Sequence, residues 1–284
     1  MIVLEQGGWR LAVRPELGCS IASLTCGGRD VLRPTPEGAM DILQTAFFPL
    51  VPYANRIAGG RFSFGGQAVA LPVHDRFAPH ALHGDGWLAS WALLERSATS
   101  ASFVYRHDAD GWPWPYEAVQ TFTLSASGLR IDLSVLNVAG TPAPAGLGLH
   151  PYFPVGDQTR LQLRAEAVCS VDAGLIPTAP VSPAHVFDWS AGPRVADAPF
   201  VDSCYIGWGG TARLIEPDRT ITVTGSPNAG WAHIYAPGLG YCCVEPVTHR
   251  PDAVHAPEGE ASGLVVLEPG RALSMWMEIA VADA

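Results

Sequence analysis

Short runs in which apolar and polar residues alternate recur from one end of the chain to the other, and nothing longer or differently periodic interrupts them. Trp9 to Arg14, Phe103 to Arg106, Val119 to Leu124, Arg130 to Leu136, Leu161 to Arg164, Thr220 to Thr224 and Met275 to Ile279 follow this pattern. A period of two places every second side chain on one face, so each run reads as a half-buried strand. Turn pairs punctuate them: Gly27-Gly28, Gly59-Gly60, Gly65-Gly66, Ser127-Gly128, Gly209-Gly210 and Pro269-Gly270. With 30 Gly, 25 Pro and no helical periodicity, the chain is predicted to be all-β. It has no clear composition break or internal repeat, and 284 residues fit one large β domain, 1–284. The segment 168–200 is rich in Pro, Ala and Ser, yet Ile176, Phe187 and Trp189 mark it as an ordered excursion rather than a linker.

Charge narrows the partners. A net charge of −10 argues against nucleic acid and anionic membrane surfaces, both of which reward basic patches. All 17 basic residues are arginine, so lysine imine chemistry is excluded. None of the six cysteines forms C-x-x-C, and Cys242 and Cys243, being adjacent, point to opposite faces of any strand. Free buried thiols in a reducing compartment are expected. The first residues lack a signal-peptide pattern, and no apolar stretch reaches membrane-spanning length, so a soluble cytoplasmic protein is expected.

Five clusters concentrate chemistry. In G-L-G-L-H-P-Y-F-P-V (146–155), Pro151 biases His150 toward a strand end or turn, and Tyr152 and Phe153 supply an aromatic wall. Gly146 and Gly148 leave room for a ligand or another backbone. Asn55-Arg56 precedes a turn, and the guanidinium suits hydroxyls or a carboxylate. Pro79 to Trp87 holds His80 and His83, too sparse for a familiar metal spacing, with Trp87 as a stacking plane. Asp202 follows an apolar residue. Glu245 closes an apolar run, where desolvation would raise its pKa toward use as a base.

Taken in order, N-R-I-x-x-G-R-F, H-x-L-H-G, G-L-G-x-H-P-Y-F, D-S-C-Y and E-P-x-T-x-x-P-D-A resemble the aldose 1-epimerase (galactose mutarotase) family over roughly Phe48 to Leu267. The resemblance implies a single large twisted antiparallel β-sandwich with an open sugar-binding cleft. It implies an isomerase without metal or organic cofactor that interconverts the α and β anomers of a free aldose, as monomer or homodimer. His150 matches the family's general acid and Glu245 its general base, each able to exchange protons near neutral pH if modestly perturbed. Arg56, His83 and Asp202 match residues that hold the sugar; Trp87 and Tyr152 are added as its aromatic surroundings. The chain departs from the galactose enzymes at His83-Gly84-Asp85, where those have H-G-G, and at Glu245-Pro246, which leaves the sugar's identity open. Three alternatives stay open: a non-catalytic sugar-binding module, a metal enzyme using His80, His83 and His150, and a phosphosugar mutarotase using Arg76 and Arg250.

Overall fold

The computed structural model describes residues 1–257 and 259–283. Every run predicted from alternation lies in a strand, apart from Arg164, one residue past Arg160–Leu163. Two large antiparallel sheets carry most of them, one of eleven strands and one of eight. The smaller sheet shows the pattern at its plainest. Tyr116–Ser125 and Gly128–Asn137 alternate buried and part-buried positions and pair along their full length across a tight turn.

The large sheet positions the site. Five of its strands lie side by side in the order Phe47–Leu50, Gly148–Pro154, Tyr241–Val247, Trp231–Ala236 and Val201–Ile206. Alternation divides their side chains between two environments. Phe47, Leu149, Phe153, Cys242, Val244, Ala232, Ile234, Val201 and Tyr205 join the main core, together with Phe103, Phe122, Ile131 and Met277 of the other sheet. Phe48, His150, Tyr152, Cys243, Glu245, His233, Tyr235 and Asp202 occupy the alternate positions. There Phe48, Tyr152 and Cys243 belong to a second, smaller apolar cluster. A face that is polar, aromatic and still buried is unusual for a sheet, and it is the face that the cleft covers.

Register brings the polar residues together. His150 pairs with Phe48, Tyr152 with Cys243, Glu245 with His233, and Asp202 with Tyr235. The pairs Gly148↔Val247 and Tyr152↔Cys243 put His150 opposite Glu245. The sequence reading of His150 as a strand end is corrected here: the strand runs on through Pro151 to Pro154. Prolines in mid-sheet forfeit ladder donors. Between these two strands the pairing skips from Gly148 to Tyr152, leaving Pro151 and Pro246 unpaired there, while each is paired on its other side, with Phe47 and Ala232.

The glycines before His150 serve the protein rather than a ligand. A Cβ at Gly146 would lie 1.9 Å from the His249 ring, and one at Gly148 would meet Leu50 and Val247 at 2.8 Å. The excursion 168–200 is ordered, as expected. Trp189 is fully buried and donates its indole N–H to Tyr205 Oη at 2.9 Å, and Tyr205 donates to Phe187 O at 2.7 Å. All six cysteines are free. Among the described residues no helix is long and apolar enough to cross a membrane.

Candidate active site

The cleft over this face has a volume of about 310 Å³ and is lined by Arg56, His83, His150, Tyr152, Asp202 and Glu245, among others. That is near the lower end of small-molecule sites, roughly 300–1,000 Å³. At its floor His150 Nε2 lies 3.2 Å from Glu245 Oε1. Glu245 is 1% exposed and His150 6%. Burial, with the negative charge of Asp202 adding, raises the Glu245 pKa well above its ordinary value, and Arg56 opposes the rise. Burial, with repulsion from His233 adding, lowers His150 to about 3. The perturbation is therefore large, not modest.

Both shifts have one meaning. A dry site disfavours net charge, so the pair resists losing its last proton and resists gaining a second. Both shifts favour the uncharged pair, protonated Glu245 beside neutral His150, and moving that one proton to the imidazole gives the carboxylate–imidazolium form. The His150 ring packs against Phe48, centroids 4.5 Å apart, and Tyr152, 4.7 Å apart, and those two rings also meet each other at 5.9 Å. Arg33 lies over the far side of the aromatic wall, 4.0 Å from the Tyr152 centroid and 4.5 Å from that of Tyr241.

Around the pair, Arg56 Nη2 donates to Asp202 Oδ2 at 3.3 Å, and His233 Nε2 lies 2.6 Å from Asp202 Oδ1. Burial raises the Asp202 pKa, but the bonds and charges of His233 and Arg56 outweigh it and leave the carboxylate lowered. His83 accepts at Nδ1 from the Asn55 N–H, 3.0 Å, while the His83 N–H donates to Asn55 O at 3.0 Å. This reciprocal clamp joins two residues in the left-handed region, Asn55 at φ 59° and His83 at φ 62°. Burial holds the His83 pKa well below its ordinary value. The neutral ring, accepting at Nδ1, carries its proton on Nε2 and is a donor there.

The structure thus gathers five of the proposed residues, His150, Glu245, Arg56, His83 and Asp202, with Tyr152 beside them. It does not bring Trp87. That indole is buried behind His83, donates to Gly84 O at 3.0 Å, and lines an adjacent cavity of about 250 Å³. Nor does His80 join: its Nδ1 accepts from Gly59 N at 3.1 Å, away from His150. Arg76 lines the cleft but is paired with Asp41, and Arg250 is paired with Glu260. Sequence alone assigns no role to His233, nor to Asn55 within its Asn55-Arg56 cluster, and both line the cleft.

Asp85, at the departure from H-G-G, has a definite task. Its carboxylate accepts from Tyr105 Oη at 2.5 Å and Tyr116 Oη at 2.6 Å, and lies 2.7 Å from His107 Nδ1. His107 Nε2 faces Trp112 O at 2.7 Å, so both ring nitrogens have acceptors. Burial lowers the His107 pKa, but the bonds to Asp85 and Trp112 outweigh it and the net shift is upward. Two residues from His83, this anchor ties the clamp to the other sheet. Asp85→Ala is expected to cost about 1–3 kcal/mol, because it leaves the buried His107 and Tyr116 without their acceptor, while the Asp85 side chain itself is 32% exposed. A group with a raised folded pKa contributes fully below its unfolded value and loses that contribution as pH rises through the folded one. Denaturant midpoints should therefore show a larger deficit at about pH 6 than at about pH 9; an equal deficit at both would rule out the charged pair.

The aldose 1-epimerase family profile matches residues 1–280. The chain belongs to the aldose 1-epimerase family. An uncharacterized protein of Escherichia coli, YphB, is 33% identical over 262 residues, covering 88% of each chain. The crystal structure of a putative aldose 1-epimerase from Escherichia coli superposes with a TM-score of 0.90 at 30% identity, covering 99% of this chain and 98% of that one. The galactose mutarotase of Mus musculus is 32% identical over 142 residues, 46% of this chain and 40% of its own length.

Proposed function

We propose that this aldose 1-epimerase family member is an active mutarotase that opens and recloses the ring of a free aldose, exchanging its α and β anomers. The observation that carries the reading is the buried Glu245–His150 contact, 3.2 Å long, at the floor of a cleft of about 310 Å³. Ring opening needs a base for the C1 hydroxyl proton and an acid for the ring oxygen. Both oxygens are bonded to C1, so two side chains in contact with each other can address both. In the carboxylate–imidazolium form, Glu245 takes the hydroxyl proton as the C1–O5 bond breaks and His150 protonates O5. The open aldehyde rotates about C1–C2, and reclosure on the other face reverses the roles. The pair's proton count is unchanged at the end, and its charge never leaves the site.

The surrounding residues take supporting roles. His83 Nε2–H donates toward the ring-oxygen side. Arg56 positions the sugar beside Glu245 and tempers its basicity. Asp202, held by Arg56 and His233, accepts from hydroxyls remote from C1. Asp202→Asn is expected to raise KM more than it lowers kcat, by roughly tenfold for a lost charged hydrogen bond; a loss confined to kcat would remove its orienting role.

The deciding experiment is saturation transfer by NMR between the α and β C1 protons across a panel of aldoses. Exchange above the spontaneous rate, persisting in EDTA, supports a cofactor-free mutarotase and ranks its sugars. Binding shifts with no exchange for any free sugar would overturn the reading in favour of a binding module. A phosphosugar preference has less support, because Asp41 and Glu260 already hold Arg76 and Arg250.

A further inference from the structure

Glu245 and Cys243 stand two residues apart on one strand, so both side chains leave the same face of the sheet. His150 stands opposite Glu245, and Tyr152 opposite Cys243. The donor atoms of His150, Cys243 and Glu245 all lie within 4.8 Å of one another. The three residues are 6%, 0% and 1% exposed. Imidazole nitrogen, thiolate sulfur and carboxylate oxygen form the donor mix that suits a borderline-soft divalent cation. Tetrahedral bonds of about 2.0–2.3 Å put ligand atoms roughly 3.3–3.8 Å apart. Binding would draw the three ligand atoms together by about 1 Å from their present spacing.

A second, independent observation points to a ligand. Glu245 Oε2 and His150 Nδ1 are both buried and both lack a hydrogen-bond partner. Orphaned polar atoms in a dry site are costly, and a cation would satisfy Glu245 Oε2, beside the Oε1 that His150 Nε2 faces. Glu245 and His150 line the cleft and Cys243 lies buried beside them, so a cation would enter from the cleft. The thiol is the component that acid–base exchange at a sugar does not use.

We propose that His150, Cys243 and Glu245 form an inhibitory site for a thiophilic divalent cation, with Zn²⁺ as the representative ion, occupied in competition with the sugar. Binding displaces the proton shared by Glu245 and His150 and the proton of the Cys243 thiol, both released to solvent, and forms bonds from the metal to nitrogen, oxygen and sulfur. The base and the acid then become ligands, and the C1 end of a sugar has no place at the floor. Only the effect on turnover rests on the mutarotase reading; occupancy of the site does not.

The test uses the whole chain stripped with a chelator and titrated with Co²⁺ as spectroscopic probe, then with Zn²⁺ by calorimetry. A thiolate-to-cobalt charge-transfer band that Zn²⁺ abolishes is expected. Cys243→Ala should lose the band and bind Zn²⁺ about 100-fold more weakly, since even outer-shell changes at metal sites cost 10–100-fold. Circular dichroism establishes that the variant is folded, and Cys243→Ser provides a second one. In anomer exchange, Zn²⁺ at about ten times its Kd should raise the apparent KM about tenfold at constant kcat, reversibly with EDTA, and Cys243→Ala should escape at the same concentration. Absence of the cobalt band, or zinc affinity unchanged in folded Cys243→Ala, overturns the site. A cobalt band without turnover of any sugar supports the site and defeats the mutarotase reading. Turnover indifferent to zinc, with no metal bound, defeats the site alone.

Discussion

Glu245→Gln is expected to lower kcat for anomer exchange by about 10²–10⁴-fold, the usual worth of a positioned proton transfer, with KM nearly unchanged. Glutamine keeps the shape and can still accept a hydrogen bond at one oxygen, so the cleft and its contacts survive. It cannot take the C1 hydroxyl proton. The stability change should run the other way. The folded pKa of Glu245 is raised, so its contribution is fully present below the ordinary carboxyl value and is lost as pH rises through the folded one. Glutamine has no such loss, and the variant should be at least as stable as the wild type at neutral and alkaline pH. Function held against stability is a common arrangement at active sites. Kinetics by NMR and denaturant unfolding at two pH values check both halves. Wild-type turnover in this variant would remove Glu245 as the base.

Much of this site could be read from the sequence because its residues sit in local patterns. His150 and Tyr152 are two apart in L-H-P-Y-F, and Glu245 closes Y-C-C-V-E, so alternation alone sends them to one face each. Which faces meet is a matter of register between distant strands, and no local pattern encodes it. His233 is the clearest case. In W-A-H-I-Y-A it looks like any strand histidine, and only its pairing with Glu245 and the lateral contact with Asp202 give it a role. The parity it shares with Tyr235 was the available signal. Asn55 stands in its cluster without a role of its own, because its part depends on a left-handed turn clamped to His83, where its Oδ1 accepts from the Arg56 N–H at 2.8 Å. Trp87 was misplaced for a related reason. Four residues from His83 it could reach the cleft, but Gly84 at φ 71° turns the chain so that the indole packs behind the histidine. The glycines of G-L-G leave room for a ligand or another backbone, and what fills the space beside Gly146 is a side chain, the ring of His249, over a hundred residues away.

Replacing His150 by Asn should be as damaging as replacing Glu245, with kcat down by about 10²–10⁴-fold. Asparagine can donate to Glu245 but cannot hand a proton to the ring oxygen. Because the two groups act as one proton-holding unit, the double variant should be little worse than the worse single one, as other cooperating catalytic groups behave. The pH profile separates this account from simple damage to the pocket. For the wild type, kcat/KM should stay flat while the pair holds one proton. It should fall at acid pH as His150, lowered to about 3, takes a second proton, and at alkaline pH as the pair loses its last. His150→Asn should lose the acid limb that belongs to the imidazole. Its stability should shift in the matching sense. A histidine with a lowered folded pKa resists protonation only while folded, so the wild type loses stability as pH falls below the ordinary histidine value, by about 1.4 kcal/mol per unit. Asparagine carries no such penalty, so the gap between wild type and variant should narrow or reverse on acidification. Acid unfolding followed by circular dichroism measures that gap. If the two chains lost stability in parallel, His150 would not be the neutral, desolvated partner that a one-proton pair requires.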